Sequence, residues 1–366
     1  MSECVNLSIM ELGIIGLPKS GKTTLFNILT QGRAQTTAIA SESQVGTARL
    51  PDERLEVLRS ILIPKRVVPV EVQYIDALIL KTKGGITGQL RARLGTADAF
   101  IHAVRSFPDA SVPHLEGTVE PIRDIESMTL ELNLSDLEIL QRRLARMPEL
   151  LKGAKGTERD SLLREQALLE RMKAGIEDDV PIRCHVMTED EAKVLRNYDF
   201  LSAKPIMVVL NIGEGQISQA AQLEATLTDR FPHLKVAAVC AKLENELAAL
   251  GRAEAAEFRA AMGLAEDGVQ QIVTMSYQVL DLVTFFTIAS GEVRAWTVRR
   301  DTPAPRAAGK IHTDMERGFI RAEVVRYKDL VDSGGLPEAK KKGLVRLEGK
   351  NYAVQDGDVI TFLFKV

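Results

Sequence analysis

The stretch Gly16-Leu-Pro18-Lys19-Ser20-Gly21-Lys22-Thr23-Thr24 contains a complete G-x-x-x-x-G-K-[ST] match. Its residue types define a chemistry. The glycines let the backbone curl so that successive N–H groups face one point, where phosphate can sit. A helix opening near Thr23 adds the partial positive charge of its first turn. The Lys22 ammonium is the group expected to reach β- and γ-phosphates, and the Thr23 hydroxyl is an oxygen ligand for Mg²⁺. A loop-bound Mg²⁺ also wants a carboxylate at the end of a neighbouring strand. Asp76, which ends the run Val70–Asp76, holds that position. Residues Gly16 and Pro18 to Thr24 thus form the expected phosphate grip, with Thr23 and Asp76 for the metal. A nucleoside triphosphate is implied, but not its base.

The base has to be read elsewhere. A guanine-reading loop commonly follows a strand with Asn-Lys-x-Asp, and the Asp takes two hydrogen bonds from guanine. Here the strand-like run ends in Asn211-Ile212-Gly213-Glu214. The Lys is absent and Glu stands for Asp, one methylene too long for that two-point grip. A site built on such a grip discriminates strongly, so its loss removes the reason to prefer GTP over ATP. A second base loop, Cys240-Ala241-Lys242, follows another apolar run. Asn211, Glu214, Cys240, Ala241 and Lys242 are the expected base-binding residues.

The elements that must position these groups read as α/β. Short apolar runs at Leu12–Gly16, Val70–Asp76, Ala99–Val104, Pro205–Gly213 and Val236–Ala241 alternate with helical stretches. That pattern predicts a mostly parallel sheet with helices on both faces. Between about Ile122 and Phe200 the rhythm changes. Leu130, Leu137, Leu144 and Leu151 recur every seven residues, with Leu134 and Met147 near the same stripe; Leu162, Leu169 and Ile176 recur likewise beyond a polar turn at Lys152–Asp160. This predicts an inserted antiparallel helical hairpin, its first helix kinked or ended by Pro148. Ser276–Ser290 reads as an apolar helix, and the segment after it as short strands and turns. The expected domains are a nucleotide-binding domain (1–125 and 201–290), the arm (126–200) and a small α+β domain (291–366).

These motifs, taken in order, resemble the YchF/Obg-like ATPases, a branch of the translation-associated P-loop GTPase class whose members prefer ATP. The resemblance spans nearly the whole chain. It is carried by GLPKSGKTTLFN, PDERLEVL, NIGE and, most closely, by RAWTVRRDTPAPRAAGKIHTDMERGFIRAEV and RLEGKNYAVQDGDVITFLF. It implies a TGS domain of ubiquitin-like β-grasp fold at the C-terminal end and a coiled-coil arm in the insertion. It also implies a slow ATPase that binds ribosomal particles and regulates translation or a stress response, and a catalytic role for His114. Both switch segments depart from the family. Asp76-Ala-Leu-Ile79 puts a β-branched residue where the second switch has glycine, a backbone conformation that Ile resists. Leu80 follows where many GTPases place a water-orienting Gln. In the first switch only Thr36, Thr37 or Ser41 loosely replaces the Mg²⁺-sensing hydroxyl. The alternative is a nucleotide-stabilised ribosome- or RNA-binding module that hydrolyses little or nothing.

Composition sets the outer bounds. The 366 residues suggest two or three domains, and a net charge of −3 argues against a whole-protein grip on nucleic acid or membrane. Residues 291–366 carry 15 Lys+Arg against 11 Asp+Glu, net +4, leaving −7 for the rest. That asymmetry suits an RNA-facing end, with Arg294, Arg299, Arg300, Arg306, Lys310, Arg317 and Arg321 as candidate phosphate contacts, as it does an ordinary solvated surface. Three scattered cysteines, Cys4, Cys184 and Cys240, fit a reducing cytoplasm. No apolar run approaches the ~20 residues that span a bilayer. MSECVNLSIM lacks the basic start and long apolar core of a signal peptide. Nothing in the sequence demands more than a monomer.

Overall fold

The computed structural model describes residues 10–30, 34–35, 45–50, 52–76, 86, 88–262, 264 and 267–365. From the N-terminal side the chain forms β1 (Met10–Ile15), α1 (Lys22–Thr30), β2 (Ala34–Gln35), β3 (Val45–Arg49), α2 (Glu53–Leu62), β4 (Arg66–Val68), β5 (Glu71–Asp76), α3 (Gly88–Thr96) and β6 (Ala99–Arg105). Helices α4 (Pro121–Gly153), α5 (Gly156–Glu177) and α6 (Glu189–Leu195) follow. Next come β7 (Ile206–Asn211), α7 (Ala220–Arg230), β8 (Lys235–Val239), α8 (Ala241–Leu247), α9 (Arg252–Ala261) and α10 (Gly268–Leu280). The chain ends with β9 (Leu282–Ala289), β10 (Glu292–Arg299), α11 (Ala304–Gly309), α12 (Thr313–Arg317), β11 (Phe319–Arg326), α13 (Tyr327–Ser333), α14 (Leu336–Lys341), β12 (Arg346–Glu348) and β13 (Asp358–Phe364). It divides into two compact units, one of Glu11–Gly46 and Tyr74–Met275, the other of Met1–Met10, Thr47–Gln73 and Ser276–Val366.

The first sheet has the order β2-β3-β5-β1-β6-β7-β8. Its β1/β6, β6/β7 and β7/β8 ladders are parallel and its β2/β3 ladder antiparallel. The central strands are apolar throughout because helices cover both faces, so every residue of β6 and β7 is buried. Phe100, Val104, Val208 and Leu210 pack with Met128 and Leu132 of α4 and with Leu243 and Leu247 of α8. The register pairs Ile15 with His102, Arg105 with Asn211 and Asn211 with Val239, which brings the carboxyl ends of the strands to one edge. Ligands of open α/β sheets bind at such an edge.

Two expectations about the arm are corrected and a third holds in part. Pro148 neither ends nor shortens the first helix, which runs on to Gly153. The ring is exposed, while its neighbour Met147 is fully buried against α5 and Arg159 donates to the Leu151 carbonyl at 2.8 Å. That packing offsets the lost backbone hydrogen bond. The turn is also shorter than Lys152–Asp160, because α5 already starts at Gly156. The seven-residue stripe is the buried face only in part: Met147, Leu169 and Ile176 are buried with Leu137, Leu144 and Leu162 packed against them, but Leu130 and Leu134 are each 47% exposed. A straight helix drifts ~20° per heptad, so its contact face moves. Met128 and Leu132 face the sheet core, whereas Leu140 and Met147 pack with Leu168, Leu169, Met172 and Ile176.

Asp136, fully buried, fixes the root of the arm. It accepts from the N–H groups of Leu201 (2.9 Å) and Ser202 (2.6 Å) and from the Arg91 guanidinium (3.0 Å). Burial pushes its pKa up and these donors oppose the shift.

In the second unit, Ser276–Ser290 is not one helix. Helix α10 stops at Leu280, Asp281 takes a left-handed φ of 49°, and Leu282–Ala289 is a strand. The aromatic and β-branched run Thr284-Phe285-Phe286-Thr287-Ile288 favours a pleated surface. It pairs antiparallel with β10 across Ser290 and Gly291, both at positive φ, as a two-residue hairpin turn requires. The sheet order is β12-β11-β13-β9-β10-β4, with Phe285, Val298, Ala322, Val324 and Ile360 in its core. Helix α2, capped by Asp52, joins this unit: Arg54 lies over the Phe286 ring and pairs with Asp356 at 2.7 Å.

Replacing Asp136 by Ala leaves two buried N–H groups without their acceptor and takes from Arg91 its carboxylate partner. The expected loss is about 3 kcal/mol, read as a lower urea midpoint from a fluorescent probe on the arm.

Candidate nucleotide-binding site

The loop between β1 and α1 changes backbone hand repeatedly. Gly16 (φ 150°), Lys19 (φ 64°) and Gly21 (φ 95°) all lie at positive φ. Such alternation turns neighbouring N–H groups toward a common point. Both glycines are also sterically required. A Cβ on Gly16 would run into the Ala103 carbonyl of β6, and one on Gly21 into the Asn211 amide. The Ser20 N–H closes a tight turn on the Leu17 carbonyl at 3.3 Å, while its buried hydroxyl has no partner among the described residues. Pro18 is half-buried and Lys19 exposed on the outer turn, and Thr24 is half-buried in the first turn of α1.

Lys22 is 7% exposed and donates to the carbonyls of Gly16 (3.0 Å) and Leu17 (2.9 Å). Burial lowers its pKa and the nearby Asp76 opposes that. Its partners inside the loop are neutral carbonyls, so the charge is available to an incoming anion. His102, behind the loop on β6, is buried with its Nε2 unpartnered among the described residues, and its pKa is pulled down to about 3 by burial, Lys22 and Arg183. It stays neutral and adds no charge to the site.

Thr23 donates its hydroxyl to Asp76 Oδ2 at 2.9 Å. Asp76 is buried, which raises its pKa against the effects of Thr23 and Lys22. Its Oδ1 has no partner among the described residues. A hydroxyl and an orphaned carboxylate oxygen side by side form a hard-oxygen set that fits Mg²⁺.

Asn211 does more than its place in a base motif suggests. Its amide donates to the Ser20 carbonyl at 3.0 Å and its Oδ1 accepts from the Ala241 N–H at 3.2 Å. One side chain thus ties the phosphate loop to the second base loop. Ala241 and Cys240 are buried, the Cys240 thiol raised by burial, and the Cys240 carbonyl accepts the Glu244 N–H at the start of α8. Glu214 and Lys242 meet in an exposed ion pair at 2.8 Å.

His114 is placed differently from a free proton carrier. Its side chain is 3% exposed, its Nε2 faces Asp124 Oδ2 at 2.9 Å and its Nδ1 accepts the Glu116 N–H at 3.2 Å. Both ring nitrogens are engaged by the protein's own groups. The residue that organises this loop is Arg105, which composition and spacing did not single out. It is 2% exposed, donates to the carbonyls of Phe107, Asp109 and Val112, and stacks on Phe107. A charged residue closing an apolar strand beside the phosphate loop was the available signal. Thr36, Thr37, Ser41, Ile79 and Leu80 lie outside the described residues.

The chain is 40% identical over 368 residues to a Bacillus subtilis protein named "Ribosome-binding ATPase YchF", covering 98% of this chain and 100% of the relative. The chain belongs to the YchF family. The Escherichia coli O157:H7 YchF is 36% identical over 372 residues, covering 97% and 99%. The Schizosaccharomyces pombe YchF GTPase structure superposes with a TM-score of 0.84 at 28% identity, covering 97% of each chain. The model YchF-GTPase_C, described as "Protein of unknown function (DUF933)", matches residues 282–365, which begin where β9 begins. Among the described residues no helix is long and apolar enough to cross a membrane.

For this YchF member, Asn211→Ala severs both ties between the loops. ATP and GTP affinities are expected to fall together by about tenfold, 1.4 kcal/mol, in equilibrium titrations with an unchanged circular dichroism spectrum.

Proposed function

We propose that this protein is an ATP-preferring P-loop NTPase of low intrinsic turnover that needs Mg²⁺, binds ribosomal particles and regulates translation or a stress response. The observation that carries this reading is the Lys22–Thr23–Asp76 cluster beneath a loop already held in its phosphate-accepting shape. Gly16 and Pro18 to Thr24 would hold the phosphates, and Thr23 with Asp76 would hold Mg²⁺. When bound, the ion supplies charge neutralisation between phosphate oxygens. Asn211, Glu214, Cys240, Ala241 and Lys242 would frame the adenine. The longer Glu214 side chain, already paired with Lys242, supports ATP over GTP.

The names of the relatives support a ribosomal partner. In this reading residues 1–125 and 201–290 bind nucleotide, the arm (126–200) and a TGS-like β-grasp domain (291–366) meet ribosomal RNA or protein, and the monomer works in the cytoplasm. Arg299, Arg317 and Arg321 are exposed, which suits contact with RNA phosphate. Arg294, Arg300 and Arg306 are committed to Glu292, Asp281 and Glu316.

A second reading keeps the nucleotide and removes the hydrolysis. It is favoured by the engagement of both His114 ring nitrogens, because a catalytic His114 would have to release one of them. Competition of ATP and GTP against a fluorescent nucleotide, followed by single-turnover product analysis with ribosomes, tests both readings. ATP should bind more tightly, lose affinity on removal of Mg²⁺, and be cut on the order of 10⁻³ s⁻¹ without ribosomes. Tighter GTP binding sinks the base assignment. ATP left intact over hours with ribosomes present sinks the enzyme and leaves the binding module.

A further inference from the structure

The two base loops are stitched together by three bonds in a row. The Ile212 N–H donates to the Val239 carbonyl (3.1 Å), the Ala241 N–H to Asn211 Oδ1 (3.2 Å), and Lys242 Nζ to Glu214 Oε1 (2.8 Å). The first two involve buried groups and hold the loops in register. The third sits at the exposed end, with side chains 73% and 46% exposed. Glu214 is held there from its own side as well: the Gly213 N–H takes the Gln216 side-chain oxygen at 2.9 Å, which closes the turn that carries Glu214. The Lys242 pKa is raised, first by its hydrogen bond to Glu214.

We propose that Lys242 is a base-specificity residue: by holding Oε1 of Glu214 turned toward α8 it leaves a single carboxylate oxygen facing the base, enough for adenine and too few for guanine. The inference rests on the ATP-binding reading given above and adds a residue to it. Guanine presents two donors on its pairing edge, N1–H and the N2 amino group, and a carboxylate recognises it by taking one on each oxygen. Adenine presents one donor there, its N6 amino group. A carboxylate held with one oxygen turned away from the base satisfies adenine and leaves one guanine donor unpaired, and an unpaired polar group on binding is costly. Length alone would misplace Glu214 for guanine, yet a flexible side chain can retract. The ion pair prevents this by fixing the carboxylate toward α8.

Lys242→Ala and Lys242→Met release the second oxygen. The measured quantity is the ratio of GTP to ATP dissociation constants in competition against a fluorescent ADP analogue with Mg²⁺. In the wild type ATP should win. In either Lys242 variant the preference for ATP should shrink by about fivefold, the upper range of an exposed ion pair. The wild-type preference should shrink in the same direction as salt rises from about 0.05 M to about 0.5 M, because an exposed pair is screened, and the variants should show no such dependence. In a Glu214→Ala background the Lys242 substitution should leave the ratio where Glu214→Ala alone put it. An unchanged ratio in the single variants overturns the proposal. So does a change that persists without Glu214, which would mean that Lys242 touches the base itself. A wild type that does not prefer ATP is a different failure, that of the reading beneath. Thermal melting of each variant without nucleotide confirms that the fold is intact.

Discussion

A loop can aim its N–H groups at phosphate only by turning through conformations that side chains resist, and the surroundings must hold it there. That constraint governs the carboxyl edge of the first sheet. Gly16 is pinned under the Ala103 carbonyl of β6 and Gly21 under the Asn211 amide of β7. Neither contact tolerates a methyl group. The strands beside β1 therefore support the sheet and also form the back wall of the loop, and their register decides whether the loop can exist. The left-handed Lys19 is the remaining cost, and it sits where its side chain is free in solvent.

Charge is handled by the same economy of neighbours. Lys22 and Asp76 are both buried, and each moderates the other's burial shift. At the root of the arm, Asp136 is enclosed but met by three donors, so the charge is neutralised by geometry. Arg105 extends the pattern to the loop beyond β6. Its planar guanidinium reaches three carbonyls of one loop at once, and a lysine in its place has no such fork.

The sequence makes some of this readable and hides the rest for identifiable reasons. The phosphate loop and the strands β1, β5, β6, β7 and β8 were plain, because their motif and apolar runs are local, whereas β2 and β3 carry no such run. The ATPase-family resemblance was likewise plain and the relatives bear it out. The stretch from Ser276 misled because Leu, Val and Phe are apolar in either conformation. Only the left-handed Asp281 and the hairpin at Ser290-Gly291 separate helix from strand there. The short β4 was missed because a three-residue edge strand has no periodicity to show. The bridging role of Asn211, the enclosure of His114 and the anchoring by Arg105 depend on partners that only the folded chain brings near.

Asn211 meets the Ser20 carbonyl across 191 residues of sequence. During synthesis the phosphate loop is made early and its support late, after the whole helical arm has been translated. A nascent chain that ends before β7 has the motif but not the wall behind it, so it cannot hold ATP in the manner of the finished protein. Closing so long a loop is also slow relative to forming the arm, whose two helices are sequence neighbours. The support behind the phosphate loop is therefore complete only once β7, the strand that carries Asn211, is in place.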